Sequence, residues 1–227
     1  MLNYVVDPAL LREFVPAGTE LDTFGGKTFV SLVGFRFEHT RVRGLPVPFH
    51  QHFDEVNLRF YVKRAEAGTQ RRGVVFVREI VPRIAIAVTA RLLFHENYVA
   101  MPMSHAVSHD RSLEGDQLAV EYGWHYEGAY SRLYARAEGI ATLPLPGSLE
   151  EFITEHYWGY AKVPGNALEY EVAHPPWRIW PVTEAGYEGA SEGLYGSAFA
   201  NVLWREPSSA FLAEGSPITV YAGRRIS

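Results

Sequence analysis

The fold class predicted is α+β and mostly β, and three observations predict it. Runs of β-branched and aromatic residues alternate with polar ones, as in Thr28–Val33 and Val56–Val62. Gly and Pro punctuate these runs at short intervals. Helix signals are confined to a few brief segments, so strands with few helices are expected.

The elements follow in chain order. Asp7 is a natural N-cap, and Pro8 suits a first helical position because its missing N–H is not needed there, so a short helix runs over 7–14. Pro16 and Gly18 end it. Residues 27–42 alternate as a strand, and 44–48 form a loop. Val56–Val62 is the clearest strand, joined through a turn at 66–70 to a second strand over 73–81. Residues 82–95 fit two readings. Ile84, Ile86 and Val88 alternate as in a strand, whereas Ala85, Ala87 and Ala90 favour the helix. Strands are expected at 98–107, 117–126 and 131–142. Ser148 and Glu151 form a capping box that opens a helix through about Tyr157. Residues 167–174 read as extended, 195–203 as a short helix and 218–221 as a closing strand. With no repeat or linker visible, one domain over 1–227 is the simplest organisation.

Composition excludes several functions. The net charge of −5 and the scattered basic residues argue against nucleic acid and anionic membranes. The absence of cysteine removes thiol catalysis, iron–sulfur clusters and thiolate metal sites. No apolar run is long enough to span a bilayer, and no signal peptide is visible, so the expected location is the cytoplasm.

Three motifs fail on context. Gly189-Ala190-Ser191-Glu192-Gly193 matches a nucleophile elbow, but the preceding residues look unlike an apolar strand and no His follows His174, so a surface loop is expected. Gly25-Gly26-Lys27-Thr28 lacks the first glycine of a P-loop, with Leu21 in its place, and leads into a strand. His95-Glu96 has Val99 where a zincin needs a second His. His50, His52 and Asp54 would share a face if extended, but the proline-rich residues before them favour a loop, so no metal is expected.

The informative constellation lies in the clearest strand. Alternation puts Val56, Leu58, Phe60 and Val62 on one face and Glu55, Asn57, Arg59 and Tyr61 on the other, with neighbours about 6–7 Å apart. The apolar face belongs in a core. The polar face has three destinations: solvent, a self-satisfied network, or a ligand. Unpaired buried charge costs several kcal/mol, so an interior location requires internal pairing or a bound partner. Arg78 and Glu79 follow in the next strand, with Arg83 and Arg91 beyond, on roughly one face if 82–95 is helical. Guanidinium groups around a cavity would suit a carboxylate. The aromatic residues Tyr157, Trp158, Tyr160, Trp177 and Trp180 fit either core or pocket wall.

These residues carry a family resemblance. The segments 53–62, 151–157, 174–177 and 213–221 resemble the YqjF-like family of uncharacterised conserved proteins (domain of unknown function 2071), over nearly the whole chain. That family is similar to acetoacetate decarboxylase, which implies a curved antiparallel sheet closing as a β-cone around a cavity. The decarboxylase forms a Schiff base through a lysine in a Pro-Lys-Lys motif. The matching stretch here is Arg78–Ile84, where Pro82 is kept but Arg83 and Ile84 replace the lysines. Arginine stays protonated and cannot form the Schiff base.

The combined expectation is an interior pocket for a small organic acid, with no cofactor. Glu55 would be the proton-transfer group, held ionised by cationic neighbours, and Asn57, Arg59, Tyr61, Glu79, Arg83 and Arg91 would bind the ligand. Any reaction there would be lyase-like or a proton transfer without a Schiff base. The rival expectation is a non-enzymatic homodimer whose polar strand is structural.

Overall fold

A computed structural model of the chain describes residues 1–38, 41–42, 45–46, 52–84, 87, 97–112 and 115–227. Fifteen strands join in one sheet. From one end its main path runs through Thr219–Val220, Asn166–Ala173, Trp158–Val163, Thr69–Val81, Phe53–Glu66, Thr28–Phe37 and Leu2–Val6. It continues through Ser209–Ala213, Ile179–Glu188, Ala129–Gly139 and Gly115–Tyr126 to Met103–Ser112. The mostly β expectation holds. The sheet is mixed rather than wholly antiparallel, because Thr69–Val81 pairs in parallel with both Trp158–Val163 and Tyr98–Ala100. Those pairings follow from the long excursions after Val81, since parallel neighbours need a crossover whereas hairpins do not.

The predicted hairpin exists and is longer than its apolar stretches suggested. Phe53–Glu66 and Thr69–Val81 pair down to Glu66 and Thr69. Their turn places Ala67 at φ 48 and Gly68 at φ 80, the left-handed geometry that matches the twist of a two-residue hairpin. Phe53–Glu66 is central and covered on both sides. Val56, Leu58, Phe60 and Val62 are fully buried against Leu2, Val30, Leu32, Trp124 and Leu203. Each such side chain contributes roughly 1.5–3 kcal/mol. On the opposite face Tyr61 packs with Phe29, Phe152 and Ile153.

The helices are short. Pro8–Phe14 is a 3-10 helix whose Asp7 carboxylate accepts the Ala9 N–H at 2.8 Å. Ser148 caps Leu149–Thr154 by accepting the Glu151 N–H at 3.2 Å. The Glu151 carboxylate returns to the Gly147 N–H at 2.6 Å rather than to the cap residue. This helix stops before Tyr157 because Trp158 enters the sheet beside Gly73. The helix expected over 195–203 is two pieces, Glu192–Tyr195 and Ser197–Leu203, broken at Gly196 with φ 81. Of the ambiguous 82–95 segment, Ile84 and Ala87 are helical and the Ala87 N–H donates to the Arg83 carbonyl at 3.2 Å; most of the rest lies outside the described residues. Among the described residues no helix is long and apolar enough to cross a membrane.

One rejected motif needs correction. Gly189 and Ala190 are exposed and irregular, as a surface loop requires, but the segment joins the Ile179–Glu188 strand to the Glu192–Tyr195 helix, and Ser191 is fully buried. Glu184, Gly186 and Glu188 disguised that strand; they pair with Arg136, Tyr134 and Arg132 of Ala129–Gly139, and the two glutamates are exposed.

Candidate functional site

The polar face of Phe53–Glu66 is buried. Glu55, Asn57 and Tyr61 are each 1% exposed, and Arg59 is partly buried. Solvent is thereby removed as the destination of this face. Glu55, Asn57 and Arg59 stand opposite Phe35, Val33 and Ser31 of the neighbouring strand. On the other side Asn57 pairs with Glu79, and the register shifts between Leu58 and Arg59. Leu58 faces Arg78 while Arg59 faces Phe76, so Val77 is the extra residue of a bulge. Glu79 is thus set beside Asn57, and Arg78 shares the face of Leu58 instead. Arg78 donates to the Leu194 carbonyl and to Asn97 Oδ1, each at 3.1 Å, and does not join the row.

Two carboxyl groups, an amide and a phenol form the heart of the site. Glu55 accepts from Asn57 Nδ2 at 3.0 Å and from the Tyr98 hydroxyl at 3.1 Å. Glu79, also 1% exposed, hydrogen-bonds the same phenol. Burial, followed by the two carboxylates, holds the Tyr98 phenol well above its usual range. Burial pushes Glu55 up to about 7, against the opposing pull of Asn57, Tyr98 and Arg59. Cationic neighbours are expected to keep Glu55 ionised; burial works against them. Lost hydration of the carboxylate outweighs one guanidinium that approaches without a direct ion pair. Asn57 Oδ1 and Arg59 Nε are buried and have no hydrogen-bond partner among the described residues.

The row continues into side chains that sequence reading missed. The Tyr61 hydroxyl lies 2.5 Å from Ser31 Oγ, which donates to Asn3 Oδ1 at 2.6 Å; Asn3 donates on to Ser209 Oγ at 3.0 Å. His156 packs against Tyr61 in a tilted arrangement with ring centroids 4.6 Å apart and is held down to about 4, first by burial and then by Arg72 and Arg59. Its Nε2 is 3.6 Å from Asp22, whose carboxylate takes the Arg72 guanidinium at 2.7 Å and is held down to about 2 by these two neighbours despite burial. Asn3, Ser31 and Asp22 sit in strands or turns that read as ordinary. The one signal for His156 was its place in the family-like segment 151–157.

The structure thus gathers Glu55, Asn57, Glu79 and Arg59, with Tyr61 at the far end. Arg83 is exposed, and Arg91 lies outside the described residues. Asp54 turns to His105 at 2.9 Å, His52 is exposed, and His50 and His95 lie outside the described residues. Among the described residues no three His, Asp or Glu side chains converge as a metal site. Lys27 is exposed, Lys63 pairs with Glu20 at 3.5 Å, and Lys162 donates to the Glu13 carbonyl at 2.7 Å.

The sheet order and helix placement define an acetoacetate decarboxylase-like fold. Acetoacetate decarboxylase from Legionella pneumophila superposes with TM-score 0.60 at 13% identity, covering 100% of this chain and 83% of that one. An acetoacetate decarboxylase-like enzyme from Sphingomonas wittichii gives 0.59 at 17% identity, covering 99% and 86%. The enduracididine biosynthesis enzyme MppR, complexed with pyruvate, gives 0.61 at 14% identity, covering 100% and 86%. Within that fold the chain belongs to the DUF2071 family of uncharacterised conserved proteins, whose model matches residues 1–217. Uncharacterised protein YqjF of Bacillus subtilis is 29% identical over 182 residues, covering 78% of this chain and 70% of that protein.

Proposed function

We propose that the buried row of Glu55, Asn57, Arg59 and Glu79 binds a small organic acid of the keto- or hydroxy-acid class. The observation that supports this most directly is an interior polar set left incomplete by the protein itself. Asn57 Oδ1 and Arg59 Nε are buried without partners among the described residues, and buried polar groups rarely stay so. Arg59 supplies the charge that a carboxylate seeks. Glu55, poised near neutrality, can give or take a proton at the ligand. The solved relative MppR was captured with pyruvate, a ligand of the same chemical class.

No Schiff base takes part in this reading. Lys27, Lys63 and Lys162 are the only lysines, and each is exposed or engaged away from Glu55. A second reading, a purely structural network within a homodimer, draws on the two hydrogen bonds that Glu55 already accepts.

Thermal-shift and calorimetric titration with pyruvate, lactate and acetoacetate tests the proposal. At least one acid should raise the melting temperature of the wild type and fail to do so for Arg59→Ala. Borohydride added with the ligand should leave the protein mass unchanged. No shift with any of the three acids, or a shift retained in Arg59→Ala, favours the structural reading; a borohydride adduct overturns the exclusion of the Schiff base.

A further inference from the structure

The strand order of the sheet finishes in an open edge. Met103–Ser112 is the last strand and, among the described residues, pairs only with Gly115–Tyr126. A strand with one neighbour directs alternate backbone N–H and C=O groups outward, where they form a template for another strand. Natural sheets blunt such edges with lysine, proline, bulges or brevity. This strand is ten residues long and contains no Lys and no Pro. Its register runs unbroken from Met103 opposite Trp124 to Ser112 opposite Gly115, so no bulge turns it aside. Ser104–Arg111 are exposed at every residue.

The edge is held in place from one face. His105 sets one ring nitrogen 2.9 Å from Asp54 and the other 2.8 Å from Arg36, which ties the strand to Phe53–Glu66 and Thr28–Phe37. Four residues on, and on the same face by alternation, His109 Nε2 lies 3.2 Å from Asp116. The His109 ring also meets Trp180 edge-on at 6.0 Å. Val107 stands between these two anchors and is 59% exposed. An edge already fixed at two points loses little freedom when another strand is added.

We propose that this edge joins a second copy of the chain, antiparallel and about a twofold axis, so that the two sheets continue as one. The charge pattern selects that occupant. Apart from its histidines the strand carries only Asp110 and Arg111, which cancel, whereas the whole chain has a net charge of −5. A charged peptide finds no complement on a neutral edge, and two neutral edges meet without net repulsion. A twofold contact of this kind preserves the faces of both sheets, so odd-numbered residues oppose odd and even oppose even. The register centred on Val107 overlaps residues 103–111. It sets Val107 against its own copy, Asp110 against Ser104 and Arg111 against Met103, and no like charges stand opposite one another. The overlap spans roughly 30 Å. Backbone hydrogen bonds with modest apolar burial give an association at the weak end of specific interfaces, in the micromolar range. The contact is independent of the acid site, because none of its residues belongs to the row of Glu55, Asn57, Arg59 and Glu79.

Sedimentation velocity of the full chain, from about 1 to about 100 μM near neutral pH, tests the contact. The wild type should pass from monomer to dimer across that range. Val107→Lys places two like charges at the twofold axis and should weaken association about tenfold or more, and Val107→Asp should do the same. Val107 lies mostly in solvent, so both variants keep the core, which unchanged circular dichroism verifies. An equimolar mixture of the two variants sets Lys against Asp and should restore the dimer. A wild type still monomeric at about 100 μM, a dimer indifferent to Val107→Lys, or a mixture that associates no better than its components overturns the proposal.

Discussion

Two fully buried glutamates in one sheet are treated in opposite ways. Glu169 is surrounded by charge: Arg64 at 3.2 Å, Arg71 at 2.6 Å and Arg224 at 2.8 Å, with the Tyr160 hydroxyl at 3.0 Å. Arg64 and Arg224 are shared with Glu66, and Arg71 lies over the Trp158 ring at 4.2 Å. Glu55 is equally enclosed, but its direct donors are neutral, an amide and a phenol. A carboxylate ringed by guanidinium groups ties strands together. A carboxyl offered only neutral donors keeps its proton near neutral pH, and that is a property chemistry can use. The contrast separates a structural acid of this fold from the one proposed above to act on a ligand.

Glu169→Ala should have the largest effect. It removes the carboxylate that pairs with Arg71 and one of the two that pair with Arg64, and these arginines are only 22% and 16% exposed. Breaking a buried pair costs roughly 3–5 kcal/mol, and the low end applies here because Arg224, half exposed, can return to water. Urea denaturation at pH 7 should show a loss of about 3 kcal/mol. A loss below about 0.5 kcal/mol, the scale of a surface substitution, would mean that the hub is ornamental and the contrast empty.

Glu55→Gln should act in the opposite direction. The folded protein holds this proton more tightly than the unfolded chain, with a pKa of about 7 against 4.5. Its contribution to stability is full below 4.5 and lost as pH rises through 7. Glutamine keeps the shape and removes the titration. The variant should therefore be more stable than wild type by about 2–3 kcal/mol at pH 8, with little difference at pH 4.5. Ligand-linked proton uptake should vanish with it. Destabilisation at pH 8 would show that the ionised form of Glu55 is held by partners that glutamine cannot engage.

Much of this contrast was legible in the sequence, and the remainder was hidden for physical reasons. Alternation over 55–62 put Glu55, Asn57, Arg59 and Tyr61 on one face, and the structure keeps them there. Periodicity cannot tell a buried polar face from a wet one, so burial had to come from the helix over Phe152 and from the Tyr98 strand. The bulge at Val77 was invisible too, because it depends on register with a partner strand; it separates Arg78 from Glu79. Glu169 stood in a segment that read only as extended, and its three arginines come from positions 64, 71 and 224, a convergence that no local pattern encodes. The Ile179–Glu188 strand escaped because Pro181, Gly186 and its acidic residues weaken every strand signal.

The smallest effect gives the sharpest reading of how Glu55 is held. Tyr98→Phe deletes one neutral hydrogen bond, 3.1 Å long, and leaves the ring to pack. That bond favours the ionised carboxylate, so its removal should move the Glu55 pKa further upward, by about one unit for a bond worth roughly 1 kcal/mol. Carboxyl-carbon NMR titration of Glu55 in both proteins measures the change directly. The sign matters more than the size. If burial sets the proton affinity and neutral donors restrain it, the titration midpoint rises. If Arg59 were instead the dominant partner, as the arginines are for Glu169, losing a phenol would leave the midpoint where it was, and the distinction between the two glutamates would reduce to distance alone.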